Sequence, residues 1–169
     1  MPNKQSGVTL IELVITLVII GIATTLAFPS YVQWIQNTRL RNGAESILNG
    51  LQLARAEAVR RNTNVQFLLG ANTAWTVGCV TVTATCPAII QSHSAGDASS
   101  TAVTVTMVAG ANPVVFNNLG RITTAATTWN IDNNQLSAAN SRDLRVVVSA
   151  GGTVRMCDPN VVAPDSRAC

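Results

Sequence analysis

The chain has 169 residues, 47% of them apolar, 11% charged and 4% aromatic, with a formal net charge of +3 from 11 basic and 8 acidic side chains. That is enough for one domain and little more. So few charges with a positive mean hydropathy exclude a disordered or polybasic tail protein, and the chain is not apolar enough throughout for a multi-span membrane protein.

The apolar excess is concentrated at the N-terminus, where only Glu12 is charged between Val8 and Phe28. At ~1.5 Å per helical residue this run spans about 30 Å, the thickness of a bilayer core. Lys4 lies in the polar segment before it, and a cation on the cytoplasmic side puts the C-terminus outside. A secretory signal peptide ends its apolar run in small residues of the Ala-x-Ala kind. Here the run passes through Phe28 and Pro29 into a helical pattern, so the anchor is expected to remain on the mature protein. Gly21 and Pro29 interrupt it. Pro29 has no N–H for the Thr25 carbonyl and disfavours helical geometry at Phe28, which predicts a kink or a locally melted turn.

Beyond Pro29, Leu40, Ala44, Ile47, Leu51, Ala54 and Ala58 recur at spacings of four and three, with Leu48 and Val59 widening the stripe. This predicts an amphipathic helix with one buried face, continuing to about Arg61. Arg41, Glu45, Asn49 and Gln52 fall off the stripe, and Glu57 can meet Arg60 or Arg61 one turn on. The expected division is an anchor over 8–34, an amphipathic half over 35–64 and a head over 65–169. In the head the pattern turns to short β-rich segments: Val65–Leu69, Trp75–Thr83, Val103–Val108, Pro113–Phe116, Leu144–Ser149 and Thr153–Cys157. Turn residues separate them, Asp132-Asn-Asn134 and Ala150-Gly-Gly152 among others, and several alternate apolar with polar side chains. The predicted fold is α+β, a long N-terminal helix packed on antiparallel sheet as a roll or sandwich.

Four cysteines remain, Cys79, Cys86, Cys157 and Cys169, and the lone His93 is far from any close Cys/His pair. Zinc-site spacing is missing, which makes disulfides in an oxidising compartment the better reading. Three pairings are possible. Cys79 with Cys86 would staple a short hairpin or loop, and Cys157 with Cys169 would tie the C-terminal tail to the last strand. No catalytic constellation and no cofactor or metal site is expected, because nothing places a nucleophile beside a base and there is no phosphate loop. Asp97, Asp132, Asp143, Asp158 and Asp165 read as solvated surface, and Trp75 as an aromatic packed under the sheet.

Gly7-Val-Thr-Leu-Ile-Glu-Leu13 resembles the cleavage and methylation motif of type IV pilins and type II secretion pseudopilins. The resemblance implies a leader over residues 1–7, cleavage by a prepilin peptidase between Gly7 and Val8, and methylation of the Val8 amine. That first residue is usually Phe or Met in the family. A carboxylate such as Glu12 costs several kcal/mol in lipid unless it reaches water or a partner. The resemblance implies that Glu12 pairs with the Val8 amine of a neighbouring subunit during assembly. Ala54-Arg-Ala-Glu-Ala58, Trp75-Thr-Val-Gly78 and Phe116-Asn-Asn-Leu-Gly-Arg121 further resemble the GspH/FimT/FimU branch of minor pilins. Partners implied are other major and minor pilins or pseudopilins, the inner-membrane assembly platform and inner-membrane lipid. The implied location is a single-pass inner-membrane precursor with a periplasmic head, then an extracellular pilus or periplasmic pseudopilus.

FimT-like members bind DNA through a Gly-Arg-x-Arg element, which offers a second reading. The matching stretch is Gly152-Thr-Val-Arg155, and one arginine is missing. Arg142, Arg145, Arg155 and Arg167, with Gly152, are the candidate contacts, yet phosphate binding needs clustered cations. The segment 65–169 holds five arginines against five aspartates, whereas the helix from Ile35 to Asn64 holds five arginines against Glu45 and Glu57. The basic excess belongs to the helix and the head is balanced.

Overall fold

The computed structural model describes residues 7–98 and 102–169. Most of the expected leader, residues 1–6, lies outside them. The chain divides into two compact units, residues 1–35 and 36–169. One helix, α1 (Leu10–Arg61), runs through both sets of residues and contains Pro29. The locally melted turn expected there is not present. Pro29 removes one donor from a 52-residue helix, and helical turns on both sides carry the backbone through a single missing bond.

In the first unit every helical residue up to Val32 is exposed, the aliphatic side chains from Leu10 to Leu26 among them. In the second unit α1 buries Gln36, Leu40, Gly43, Ala44, Ile47, Gly50, Leu51, Ala54 and Ala58. The stripe read from the sequence is the packed face. The two residues expected to widen it do not join the core, for Val59 is 52% exposed and Leu48 half-buried.

The strands are β1 (Val65–Leu69), β2 (Trp75–Cys79), β3 (Gln91–His93), β4 (Val103–Ala109), β5 (Val114–Phe116), β6 (Thr127–Asn133), β7 (Leu144–Val148) and β8 (Val154–Cys157), with one short helical turn, α2 (Ala95–Ala98), before β4. They form two four-stranded sheets, ordered β3-β2-β1-β5 and β4-β6-β7-β8. Every pairing between these strands is antiparallel. β2 ends at Cys79, four residues earlier than the sequence suggests. The chain turns there into a closed loop in which Thr83 and Cys86 pair across an isolated bridge.

Two aromatic contacts lie in the core, one within the first sheet and one between the two sheets. Phe67 lies 5.9 Å from Trp75 and 6.0 Å from Trp129, centroid to centroid. A Cβ on Gly50 would stand 2.7 Å from the Phe67 ring and 2.9 Å from Trp75, so a glycine in mid-helix is what lets these rings close on α1. Trp75 donates its indole N–H to Ser46 Oγ at 3.0 Å, satisfying the one polar group of a buried ring.

Sequence patterning misses two strands, the three-residue edge strand β3 and β6, and β6 is interior to its sheet. Its inward residues are Thr127, Trp129, Ile131 and Asn133, all buried, alternating with Thr128, Asn130 and Asp132. Asp132 and Asn133 therefore belong to a strand, against the turn expected at 132–134. Asn133 Nδ2 donates to the carbonyl and to Oε1 of Gln36 at 3.3 and 3.1 Å, and Gln36 Nε2 donates to Gln135 Oε1 at 2.8 Å. Asn37 receives the Arg142 N–H at 2.9 Å and donates to the Asn140 carbonyl at 3.0 Å. These bonds fasten the β6–β7 connection to the helix.

Candidate functional site

The sequence-derived sites fall in three places: the start of α1, the two disulfides, and the arginine-bearing face of the second sheet. At the first, Thr9 is the N-cap. Its Oγ1 accepts the Glu12 N–H at 3.3 Å, and its carbonyl accepts the Leu13 N–H at 3.2 Å. Thr9-Leu-Ile-Glu12 thus has the spacing of a capping box, with the acid in the first turn, where the partial positive charge of the helix end favours it. The reading from sequence missed this local role, whose signal is Thr-x-x-Glu, and it is additional to any part Glu12 plays between subunits. Val8 is 73% exposed, and a Cβ placed on Gly7 or Gly21 would meet nothing within 4 Å. Among the described residues, packing requires neither glycine.

The structure joins Cys79 to Cys86 and Cys157 to Cys169 and leaves no free cysteine among the described residues. The first bond closes the loop after β2, and the Arg61 guanidinium donates to the Thr85 carbonyl within that loop. Arg61 also donates to Glu57 at 2.6 Å, as does Arg60 at 2.6 Å. The two guanidiniums, Arg60 foremost, hold the Glu57 carboxyl below its usual range against the opposing effect of burial. The second bond ties back the tail, which adds a short parallel bridge, Asp158 to Ala168, with the Asp158 N–H on the Arg167 carbonyl at 2.7 Å. Arg167 chelates Asp165 at 2.8 Å and, with the Arg167 N–H, holds that carboxyl down at about 2.

Arg145 and Arg155 stand on the same face of adjacent strands, since Arg145 lies opposite Cys157 and Arg155 opposite Val147. Both are engaged within the head. Arg145 Nε donates to Asn130 Oδ1 at 2.7 Å and Arg155 Nη2 to the Cys169 carbonyl at 2.6 Å. With Arg167 on Asp165, three of the four candidate DNA-contacting arginines serve internal contacts. Gly152 also has an internal reason. Its φ is +80°, and a Cβ there would lie 2.0 Å from the Gly120 carbonyl oxygen. Gly120, φ +72°, is in turn set against Arg55 and Val59 of α1. The Gly-Arg of the 116–121 element and the Gly of the 152–155 element therefore meet backbone to backbone, a contact no spacing in the sequence reveals. A groove of about 570 Å³ lies alongside, lined by Gln52, Arg55, Ala56, Val59, Arg60, Thr153 and Val154.

A long N-terminal helix that begins in an exposed apolar run and continues as the packed face of a small antiparallel head defines a pilin-like subunit. Residues 2–28 match the prokaryotic N-terminal methylation motif, and residues 43–152, more than half of the chain, match the family described as type II transport protein GspH. The chain belongs to the GspH family. Its fold is similar to that of the type IV minor pilin FimU of Pseudomonas aeruginosa, with TM-score 0.55 and 18% identity over 69% of this chain and 87% of that one. It is also similar to the minor pseudopilin EpsH from the type 2 secretion system of Vibrio cholerae, with TM-score 0.53 and 16% identity over 73% of this chain and 99% of that one. The type IV major fimbrial protein FimA of Dichelobacter nodosus is 40% identical over 57 residues, 34% of this chain and 35% of the relative. The chain thus spans about a third of the length of the curated relatives it matches.

Proposed function

We propose that the protein is a minor pilin or pseudopilin, a structural subunit that primes or assembles a type IV pilus or a type II secretion pseudopilus. The observation that carries this is the presence in one chain of the methylation motif over 2–28 and the GspH match over 43–152. Its chemistry is association. The apolar segment Val8–Phe28 anchors the precursor in the inner membrane with the head in the periplasm, and a prepilin peptidase cuts between Gly7 and Val8 and methylates the new amine. Open space around Gly7 supports this assignment, because a glycine the fold does not need answers to an enzyme that approaches the backbone closely. Glu12 then pairs with the Val8 amine of a neighbouring subunit as the anchor leaves lipid, neutralising two charges that are costly apart. Other pilins or pseudopilins and the assembly platform are its partners.

The test is Glu12→Ala in the native host, with surface filaments and exoprotein secretion both measured. Membrane insertion is expected to persist while one of the two outputs falls, and which one falls separates pilus from pseudopilus. Wild-type levels of both would overturn the assembly role of Glu12.

A further inference from the structure

The seven aromatic residues of the chain divide sharply. Phe67, Trp75, Phe116 and Trp129 are buried in the head, while Phe28, Tyr31 and Trp34 are 68%, 59% and 64% exposed within seven residues of α1. Tyr31 and Trp34 stack on each other at 6.1 Å. In sequence they follow the aliphatic run, and the next charged residues are Arg39 and Arg41. Amphipathic rings at the end of an apolar helix, just before the first cations, have the chemistry of the headgroup boundary of a bilayer, where one part of the ring sits in hydrocarbon and its polar edge meets water.

We infer that Phe28, Tyr31 and Trp34 form an interfacial belt that binds the outer headgroup boundary of the membrane and thereby sets the depth of the anchor. This rests on the membrane-anchor reading above. The consequence is a position for Glu12. Tyr31 lies nineteen positions beyond it, which at 1.5 Å each is ~28 Å of helix, and the hydrocarbon core is about 30 Å thick. With the belt at the outer boundary, Glu12 stands at the inner one, its carboxylate reaching headgroup water. The Gly7–Val8 bond lies beyond it, within reach of an enzyme on the cytoplasmic face. The belt therefore keeps the carboxylate hydrated and the processing site exposed until the helix is withdrawn.

The experiment uses the full chain in phospholipid nanodiscs. The emission difference between wild type and Trp34→Phe isolates Trp34, read with lipids brominated either near the headgroup or near the chain end. Quenching is expected chiefly from the shallow bromines. In parallel, Glu12→Cys and Leu17→Cys variants are treated with a membrane-impermeant maleimide, and the thiol at position 12 is expected to react at least roughly tenfold faster, since the other lies in hydrocarbon. Replacing all three aromatics by alanine should shrink that ratio. A chain that inserts but whose Trp34 is unquenched, or quenched most by the deep bromines, overturns the belt and leaves the anchor reading standing. Equal thiol rates overturn the position of Glu12. A chain that fails to enter the nanodiscs overturns the anchor reading itself.

Discussion

The two stretches of α1 share one secondary structure and differ in almost everything else. Up to Val32 its residues are exposed and carry one charge, Glu12. From Gln36 onward it buries nine residues and carries five arginines. A helix that is apolar all round needs a solvent that is itself apolar, whereas a helix with one apolar stripe needs a sheet. What differs is how each is stabilised: the first stretch by its surroundings, the second by its own head.

The largest test of that contrast is a matched pair of leucines. Leu51 is fully buried in the core cluster, and Leu51→Ala is expected to cost about 2–5 kcal/mol, combining lost transfer free energy with a residual cavity. Leu17 is 60% exposed, and Leu17→Ala should leave head stability unchanged. Urea denaturation of the full chain in detergent, followed by Trp75 and Trp129 fluorescence, reads both. A comparable shift from Leu17→Ala would break the contrast.

The contact between Gly120 and Gly152 gives a smaller effect on the head side. Gly152→Ala forces a Cβ toward the Gly120 carbonyl and a non-glycine residue to a φ of +80°. Strain of this kind costs on the order of 1–3 kcal/mol. Thr153→Arg, which restores the missing arginine of Gly-Arg-x-Arg, alters an exposed side chain and should leave the denaturation midpoint nearly in place. Were Gly152→Ala equally silent, the glycine would answer to a ligand and not to packing.

The legible parts of the molecule are those in which chemistry and periodicity agree. The stripe from Leu40 to Ala58 was readable because a helix face repeats every three or four residues and only apolar side chains occupy it. β1 was readable because Val65, Phe67 and Leu69 alternate with Gln66 and Leu68 into a one-sided sheet. β6 was not, since two of its four inward residues, Thr127 and Asn133, are polar and are satisfied by distant partners. Thr127 Oγ1 accepts the Ala111 N–H at 3.0 Å, and Asn133 meets Gln36. A buried polar residue reads as a turn until its partner is known. The exposure of Val59 and the meeting of Gly120 with Gly152 depend on tertiary placement in the same way. At the N-terminus the motif from Gly7 to Leu13 was legible, whereas the capping arrangement of Thr9 and Glu12 went unread although its Thr-x-x-Glu spacing is local.

The smallest predicted effect lies at the charged β6–β7 connection, where no apolar pattern operates. Ser141 Oγ sits 2.6 Å from Asp143 and 3.1 Å from Asp132. Burial, and then the neighbouring Asp132, push the Asp143 carboxyl above its usual range. A carboxyl raised in the folded state binds more protons there than in the unfolded chain, so its ionisation opposes folding and stability falls as pH rises through the shifted value. Asp143→Asn removes that opposition and keeps an acceptor for Ser141. The variant is expected to melt slightly above wild type at pH 7 and to lose its advantage as pH falls below the ordinary aspartate range, about 3.9, where the Asp143 carboxyl is protonated in the folded and the unfolded chain alike. Thermal melts across that range check the sign, and a variant less stable than wild type at neutral pH would mean that the ionised pair is held by contacts stronger than its mutual repulsion.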